Sequence, residues 1–170
     1  RELGFTADAL DVYAIGNLFS QIKTGMKFWG EGANDQYRHL YEEYQSGLKL
    51  FNAVDFDDLI ILPLILFREH PEVLAKYKER YQYLMVDEFQ DTSIQQYQFM
   101  KALAERNVCV VGDDDQSIYS WRGANYENIR MFEKDFPELL EIKLEQNYRS
   151  TGTILAAANG VIAHNTNRKE

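Results

Sequence analysis

"LMVDEFQDTS", Leu84 to Ser93, decides how this chain is read. Apolar residues from Tyr83 to Val86 run straight into Asp87 and Glu88, and a third acid follows at Asp91. A short continuous apolar run is the pattern of a parallel strand buried on both faces. Val108 to Val111 repeats the pattern and ends in Gly112-Asp113-Asp114-Asp115-Gln116. Between the two runs, Ile94 to Ala104 has helical spacing, with Asp91 or Ser93 as its N-cap. Asn125 to Phe136 predicts another helix, Leu139 to Leu144 a third strand, and Thr151 to His164 a last helix. Strands alternating with helices predict an α/β domain whose mostly parallel sheet has helices on its faces.

Upstream the rhythm is helical. Thr6 caps a segment running to about Ile22, and Gly25, Gly30 and Gly32 break the chain. Leu40, Tyr44, Leu48 and Phe51 recur at helical spacing between Asp35 and Phe51. Asp55 caps a further helix containing Leu59, Ile60, Leu62 and Leu66. Pro71 suits the first position of a short helix ending near Tyr81.

Composition narrows the function classes. The 170 residues are 45% apolar, enough for a core, and hold three prolines and no low-complexity run. The single cysteine, Cys109, offers neither a disulfide nor a zinc pattern, which fits a reducing cytoplasm. No apolar stretch approaches the ~20 residues of a membrane span. The net charge of −9 counts against a surface that grips nucleic acid all over, and leaves room for a narrow site working through stacking. A start at Arg1 and a stop at Lys169-Glu170 read as a piece of something longer.

In parallel α/β sheets, ligands bind at the carboxyl ends of strands. Two strand ends rich in carboxylates therefore suggest a site for a hard cation, and Mg²⁺ is held by one or two carboxylates plus substrate phosphates. An apolar strand ending in Asp-Glu suits nucleotide hydrolysis: the Asp holds Mg²⁺ or its waters, and the next acid polarises the attacking water. The plain alternative is a solvated acidic loop capping the next helix.

The longer strings are more specific. "DEFQDT" resembles motif II, the Walker B segment, of superfamily 1 DNA helicases of the Rep/UvrD/PcrA type. "VVGDDDQSIYSWRGA" (Val110 to Ala124) resembles their motif III, and "LEQNYRST" (Leu144 to Thr151) their motif IV. "DFDDLI" (Asp55 to Ile60) and the closing "AANGVIAHNTNRK" match as well. The resemblance is dense from Ala53 to Lys169 and thin before it. It implies part of a RecA-like P-loop NTPase domain preceded by a helical segment. Residues 1–52 resemble the end of the helical subdomain 1B, residues 53–149 the second half of domain 1A, and residues 150–170 the start of domain 2A.

The resemblance also implies roles. Asp87 matches the Mg²⁺ ligand, Glu88 the general base, Gln116 the γ-phosphate sensor and Arg149 the arginine that reaches the γ-phosphate. Tyr148 matches the ring that stacks on adenine. Tyr119, Trp121 and Arg122 lie in the loop that binds single-stranded DNA, with Trp121 the stronger stacking candidate. Asp57 and Asp58 fit a capping or salt-bridge role at least as well as a functional one, and His39, His70 and His164 receive none. The implied parent is an ATP-dependent 3′-to-5′ helicase that uses ATP and Mg²⁺, moves on single-stranded DNA and acts at single-strand/duplex junctions, in DNA repair or replication.

One element of the pattern does not occur here. The phosphate-cradling GxxxxGK[ST] loop has no match, since "GMKFWGEG" continues after Gly30 in Glu31-Gly32 and lacks the Lys-Ser/Thr ending. These residues alone are expected to be inactive. A half-sheet would also leave an open edge and an apolar face, a route to self-association. Three other readings remain: a subunit of an AddA/RecB-like helicase–nuclease, a degenerate homologue acting as a binding module, and an unrelated Mg²⁺ phosphohydrolase.

Overall fold

A computed structural model describes residues 11–30, 32–120, 123–125 and 127–165. The chain divides into two compact units, the first running to Ala75 and the second beginning at Lys76.

The first unit is helical. Helix α1 (Val12–Lys23) begins behind Asp11, whose Oδ1 accepts the Ala14 N–H at 3.0 Å. The cap expected at Thr6 lies outside the described residues. Residues Gly32–Tyr37 make a 3₁₀ helix that leads into α2 (Arg38–Leu50), so the helix predicted from Asp35 starts three residues later in α form. Helix α3 (Asp58–Glu69) follows. Pro71 opens α4 (Pro71–Arg80), a helix that contains the boundary between the units at Ala75, as its sequence position predicts, since its missing N–H has no partner to lose there. Ile15, Leu18 and Phe19 of α1 and Phe67 of α3 are buried. Phe19 meets Tyr41 edge-on at 5.2 Å and Tyr44 at 5.6 Å.

An ion cluster adds to these contacts. Lys23 Nζ lies 2.7 Å from both Asp55 Oδ2 and Asp58 Oδ1, with the lysine side chain only 8% exposed. Asp55 and Asp58 cap each other's backbone: Asp58 N donates to Asp55 Oδ1 at 2.9 Å, and Asp55 N to Asp58 Oδ2 at 3.2 Å. Tyr44 adds its hydroxyl to Asp55. The N-cap of α3 is Asp57, whose side chain makes no capping bond, and not Asp55 as the sequence suggests; Asp55 instead accepts the N–H of Asp58, the first residue of the helix, and Asp58 takes the salt-bridge role.

The second unit carries the sheet. Strands β1 (Leu84–Val86) and β2 (Val108–Val110) pair in parallel, with Leu84 opposite Val108 and Val86 opposite Val110. The α/β reading of the sequence is borne out. Helix α5 (Ile94–Leu103) crosses from β1 to β2. Its N-cap is Ser93: Ser93 Oγ accepts the Gln96 N–H, and Gln96 Oε1 accepts the Ser93 N–H, a complete capping box. Helices α6 (Glu127–Asp135) and α7 (Gly152–Ile162) follow. The core is Phe89, Tyr97, Met100 and Phe132, packed by Val86, Val108 and Val110 from the strands and Ile129, Met131, Phe136 and Leu139 from the region of α6.

Two sequence expectations need correction. The strands are covered on one face only: Leu84, Val86, Val108 and Val110 are half-buried, whereas Met85 is 81% exposed and Cys109 is exposed. The period-2 alternation of a strand assigns neighbours to opposite faces, and here only one face has a layer against it. Leu139 to Leu144 is not a strand, because the sheet consists of β1 and β2. Leu140, Ile142 and Leu144 alternate as a strand would, yet stay exposed.

Candidate active site at two strand ends

The register of β1 and β2 brings their carboxyl ends side by side. The pairing continues past the strands, since Val111 N donates to Val86 O at 2.8 Å and Phe89 N to Val111 O at 2.9 Å. Asp87 and Glu88 thus lie next to Val111 and Gly112. Both carboxylates are exposed. Asp87 Oδ1 accepts the Glu88 N–H at 2.9 Å. Glu88 adopts a left-handed backbone, φ 50° and ψ 43°. That conformation costs a non-glycine residue about 1–3 kcal/mol and persists where surrounding contacts impose it, as happens at functional sites.

The Glu88 side chain is held by Gln90, which is 1% exposed. Its Nε2 donates to Glu88 Oε2 at 2.8 Å, and its Oε1 accepts the Asp113 N–H at 3.1 Å. Asp113 in turn accepts Gln116 Nε2 through Oδ2 at 2.8 Å and the Asp115 N–H through Oδ1 at 3.0 Å. Glu88, Gln90, Asp113 and Gln116 form one hydrogen-bonded chain across the two strand ends. Gly112 makes room for it: a Cβ there would lie 2.7 Å from Gln90 Oε1.

A second set of bonds holds the aromatic loop to the same segment. Ser93 and Ala124 form an antiparallel bridge, and Asn125 N donates to Thr92 O. Asn128, fully buried on α6, donates through Nδ2 to Thr92 O, Thr92 Oγ1 and Ser93 O at 2.9–3.1 Å. The loop turns at Gly123, where φ is +91° and any side chain would be strained. Tyr119 lies on this loop at 40% exposure, and its carbonyl accepts the Ala124 N–H at 3.3 Å. Trp121 and Arg122 lie outside the described residues.

Tyr148 and Arg149 are not brought into this chain of bonds. Both are exposed, Tyr148 at 92%. Asn147 shapes their segment by accepting the N–H groups of Arg149 and Ser150 through Oδ1 at 2.9 and 2.8 Å.

Residues 17–137 match the UvrD/REP helicase N-terminal domain. The chain belongs to the UvrD/Rep helicase family. It is 51% identical over 162 residues to an ATP-dependent DNA helicase PcrA of Staphylococcus aureus, an alignment covering 92% of this chain and 22% of that protein. A PcrA of Staphylococcus epidermidis matches to the same extent. A DNA helicase II of Rickettsia typhi is 56% identical over 131 residues, 76% of this chain and 20% of that protein. The chain spans about a fifth of the length of these curated relatives.

The donor set at the strand ends fits the cation that the family resemblance implies. Among the described residues no group of three or more His, Cys, Asp or Glu side chains could hold a metal by itself. Asp87 offers hard oxygen donors at an exposed position. That suits Mg²⁺, which keeps several waters and draws further ligands from substrate phosphates.

Gln90, Asn128 and Asn147 are the site-shaping residues that the sequence reading did not single out, and it read Asp113 only as one acid of a carboxylate-rich strand end. Glutamine and asparagine are usually solvent-facing, so nothing in the sequence alone marks Gln90 or Asn128 as buried. Gln90 does sit inside the "DEFQDT" string, and that is the one signal that could have drawn attention to it.

Proposed function

We propose that this chain is part of an ATP-dependent 3′-to-5′ DNA helicase that couples ATP hydrolysis to movement on single-stranded DNA and to duplex unwinding. The observation that carries the reading is the hydrogen-bonded chain from Glu88 through Gln90 and Asp113 to Gln116. It makes one unit of the acid and the amide assigned to water activation and γ-phosphate sensing. Family membership and the names of the relatives support the same conclusion.

In this reading Asp87 would hold Mg²⁺, which would supply neutralisation of the phosphate charge. Glu88 takes a proton from the attacking water at its carboxylate. Gln116 donates its amide to a γ-phosphate oxygen, and Arg149 brings a guanidinium fork to the same group from the far wall of the cleft. Tyr148 stacks on adenine. Tyr119, Trp121 and Arg122 supply a platform for single-stranded DNA, which needs no sequence readout because every base has a π-face. Residues 1–52, 53–149 and 150–170 then belong to subdomains 1B, 1A and 2A, and the setting is cytoplasmic. No helix among the described residues is long and apolar enough to cross a membrane.

The test uses the complete protein that carries this segment. ATP turnover should rise on adding single-stranded DNA, and a duplex with a 3′ single-stranded tail should be unwound in preference to one with a 5′ tail. Turnover indifferent to DNA, or a preference for the 5′ tail, contradicts the proposal. The 170-residue chain by itself should hydrolyse no ATP, because it has no GxxxxGK[ST] loop.

A further inference from the structure

We infer that Gln90 is a positioning residue for hydrolysis, aiming Glu88 and tying it to the Asp113–Gln116 loop so that base and phosphate sensor act together. The inference rests on the function proposed above. Gln90 is the polar side chain that joins the two strand ends. It is 1% exposed, and both halves of its amide are used. The partners fix its orientation, since a carboxylate can only accept and a backbone N–H can only donate. A neutral amide is the side chain of this length that satisfies both. A glutamate would set a second carboxylate against Glu88 and lose the donor. An apolar residue of the same size would leave the Asp113 N–H and the Glu88 carboxylate without this partner.

The consequence for the reaction is geometric. Gln90 holds Oε2 of Glu88, so the carboxylate is fixed in one rotation with Oε1 left to accept the proton. The same amide fixes Asp113, and Asp113 Oδ2 holds the Gln116 side chain. Displacing Gln90 therefore disturbs the base and the sensor at once, while touching neither substrate nor cation. Gly112 is the residue whose lack of a Cβ allows the amide to reach.

The experiment compares Gln90→Glu and Gln90→Met with wild type in the complete protein. It reads kcat and KM for DNA-stimulated ATP hydrolysis, nucleotide affinity by a fluorescent ATP analogue, and thermal melting. Both variants should lose about 10- to 100-fold in kcat, the scale for displaced supporting groups, while nucleotide affinity changes less than about threefold. In the Glu88→Gln background the same Gln90 substitutions should add less than about threefold, because the group they position is already disabled. Wild-type kcat in both variants, or an equal loss with and without Glu88, overturns the inference. The double variants keep this test sharp if a single variant melts early, since a purely structural loss is the same in both backgrounds. Wild-type protein that hydrolyses no ATP would overturn the helicase reading itself, and this inference with it.

Discussion

At the scale of single residues, the proposed reaction centres on Glu88. It combines an exposed carboxylate, a left-handed backbone and a buried amide partner. Glu88→Gln removes the charge and keeps the shape. It should leave ATP binding intact and lower steady-state turnover by about 10²- to 10⁴-fold, the range for loss of a general base. A binding isotherm and a turnover assay on the same preparation check both halves. Lys23 makes the corresponding point for stability. Lys23→Met would leave Asp55 and Asp58 without their cation, and should destabilise the helical unit by about 3–5 kcal/mol in urea unfolding. Burial pulls the Lys23 ammonium down, but hydrogen bonds and charge from Asp55 and Asp58 outweigh it and hold it above its ordinary 10.5. Burial pushes the Asp55 carboxyl up, and hydrogen bonds from Lys23, the Asp58 N–H and Tyr44 outweigh that and hold it below its ordinary 3.8. The stability from Asp55 is therefore complete above pH 3.8 and lost as pH falls through its depressed folded value. The part from Lys23 is complete below pH 10.5 and lost as pH rises through its raised folded value. Urea midpoints across the two ranges should decline in those directions for wild type, and Lys23→Met should flatten the alkaline decline.

At the scale of elements, the strand–loop–helix unit from β1 to α5 positions the site. Ser93 is its hinge point, capping α5 with its side chain and pairing with Ala124 through its backbone. Ser93→Ala should cost about 1 kcal/mol through the lost cap, read as a lower urea midpoint with an unchanged slope. Much of this level was legible in the sequence. Apolar periodicity placed β1, β2 and α3 to α7 within a few residues, because each element carries its own spacing and its own cap. Ser93 and Pro71 are side chains whose local chemistry suits a helix start, and each opens a helix here. Leu139 to Leu144 shows where that logic stops. The run has strand alternation, but a strand also needs a neighbour to pair with, and β1 and β2 are the sheet's only members among the described residues. Gln90 shows the complementary limit. Its burial follows from the parallel register of β1 and β2, a long-range fact that local pattern does not carry.

At the scale of the whole chain, the second unit exposes several large apolar side chains. Tyr83, Met85, Leu140, Ile142 and Leu144 are each at least 69% exposed, and among the described residues the sheet has two strands. Parallel sheets are normally covered on both faces, and exposed apolar surface of this kind favours association. The 170-residue chain should therefore sediment as concentration-dependent species and bind a hydrophobic dye, and Met85→Lys should weaken both effects; a dye-silent monomer would contradict this. The strings that carry the family resemblance, by contrast, were legible residue by residue, because each is short and local in the sequence. Tyr148 and Arg149 lie in such a string but outside the bonded chain around Glu88, and both are exposed. The most direct measurement is ATP turnover by the complete protein with and without single-stranded DNA, in wild type and Glu88→Gln. Strong DNA-stimulated turnover that disappears in Glu88→Gln while ATP still binds is the predicted result. Equal turnover in the two proteins would contradict the assignment of the strand-end carboxylates as the seat of hydrolysis.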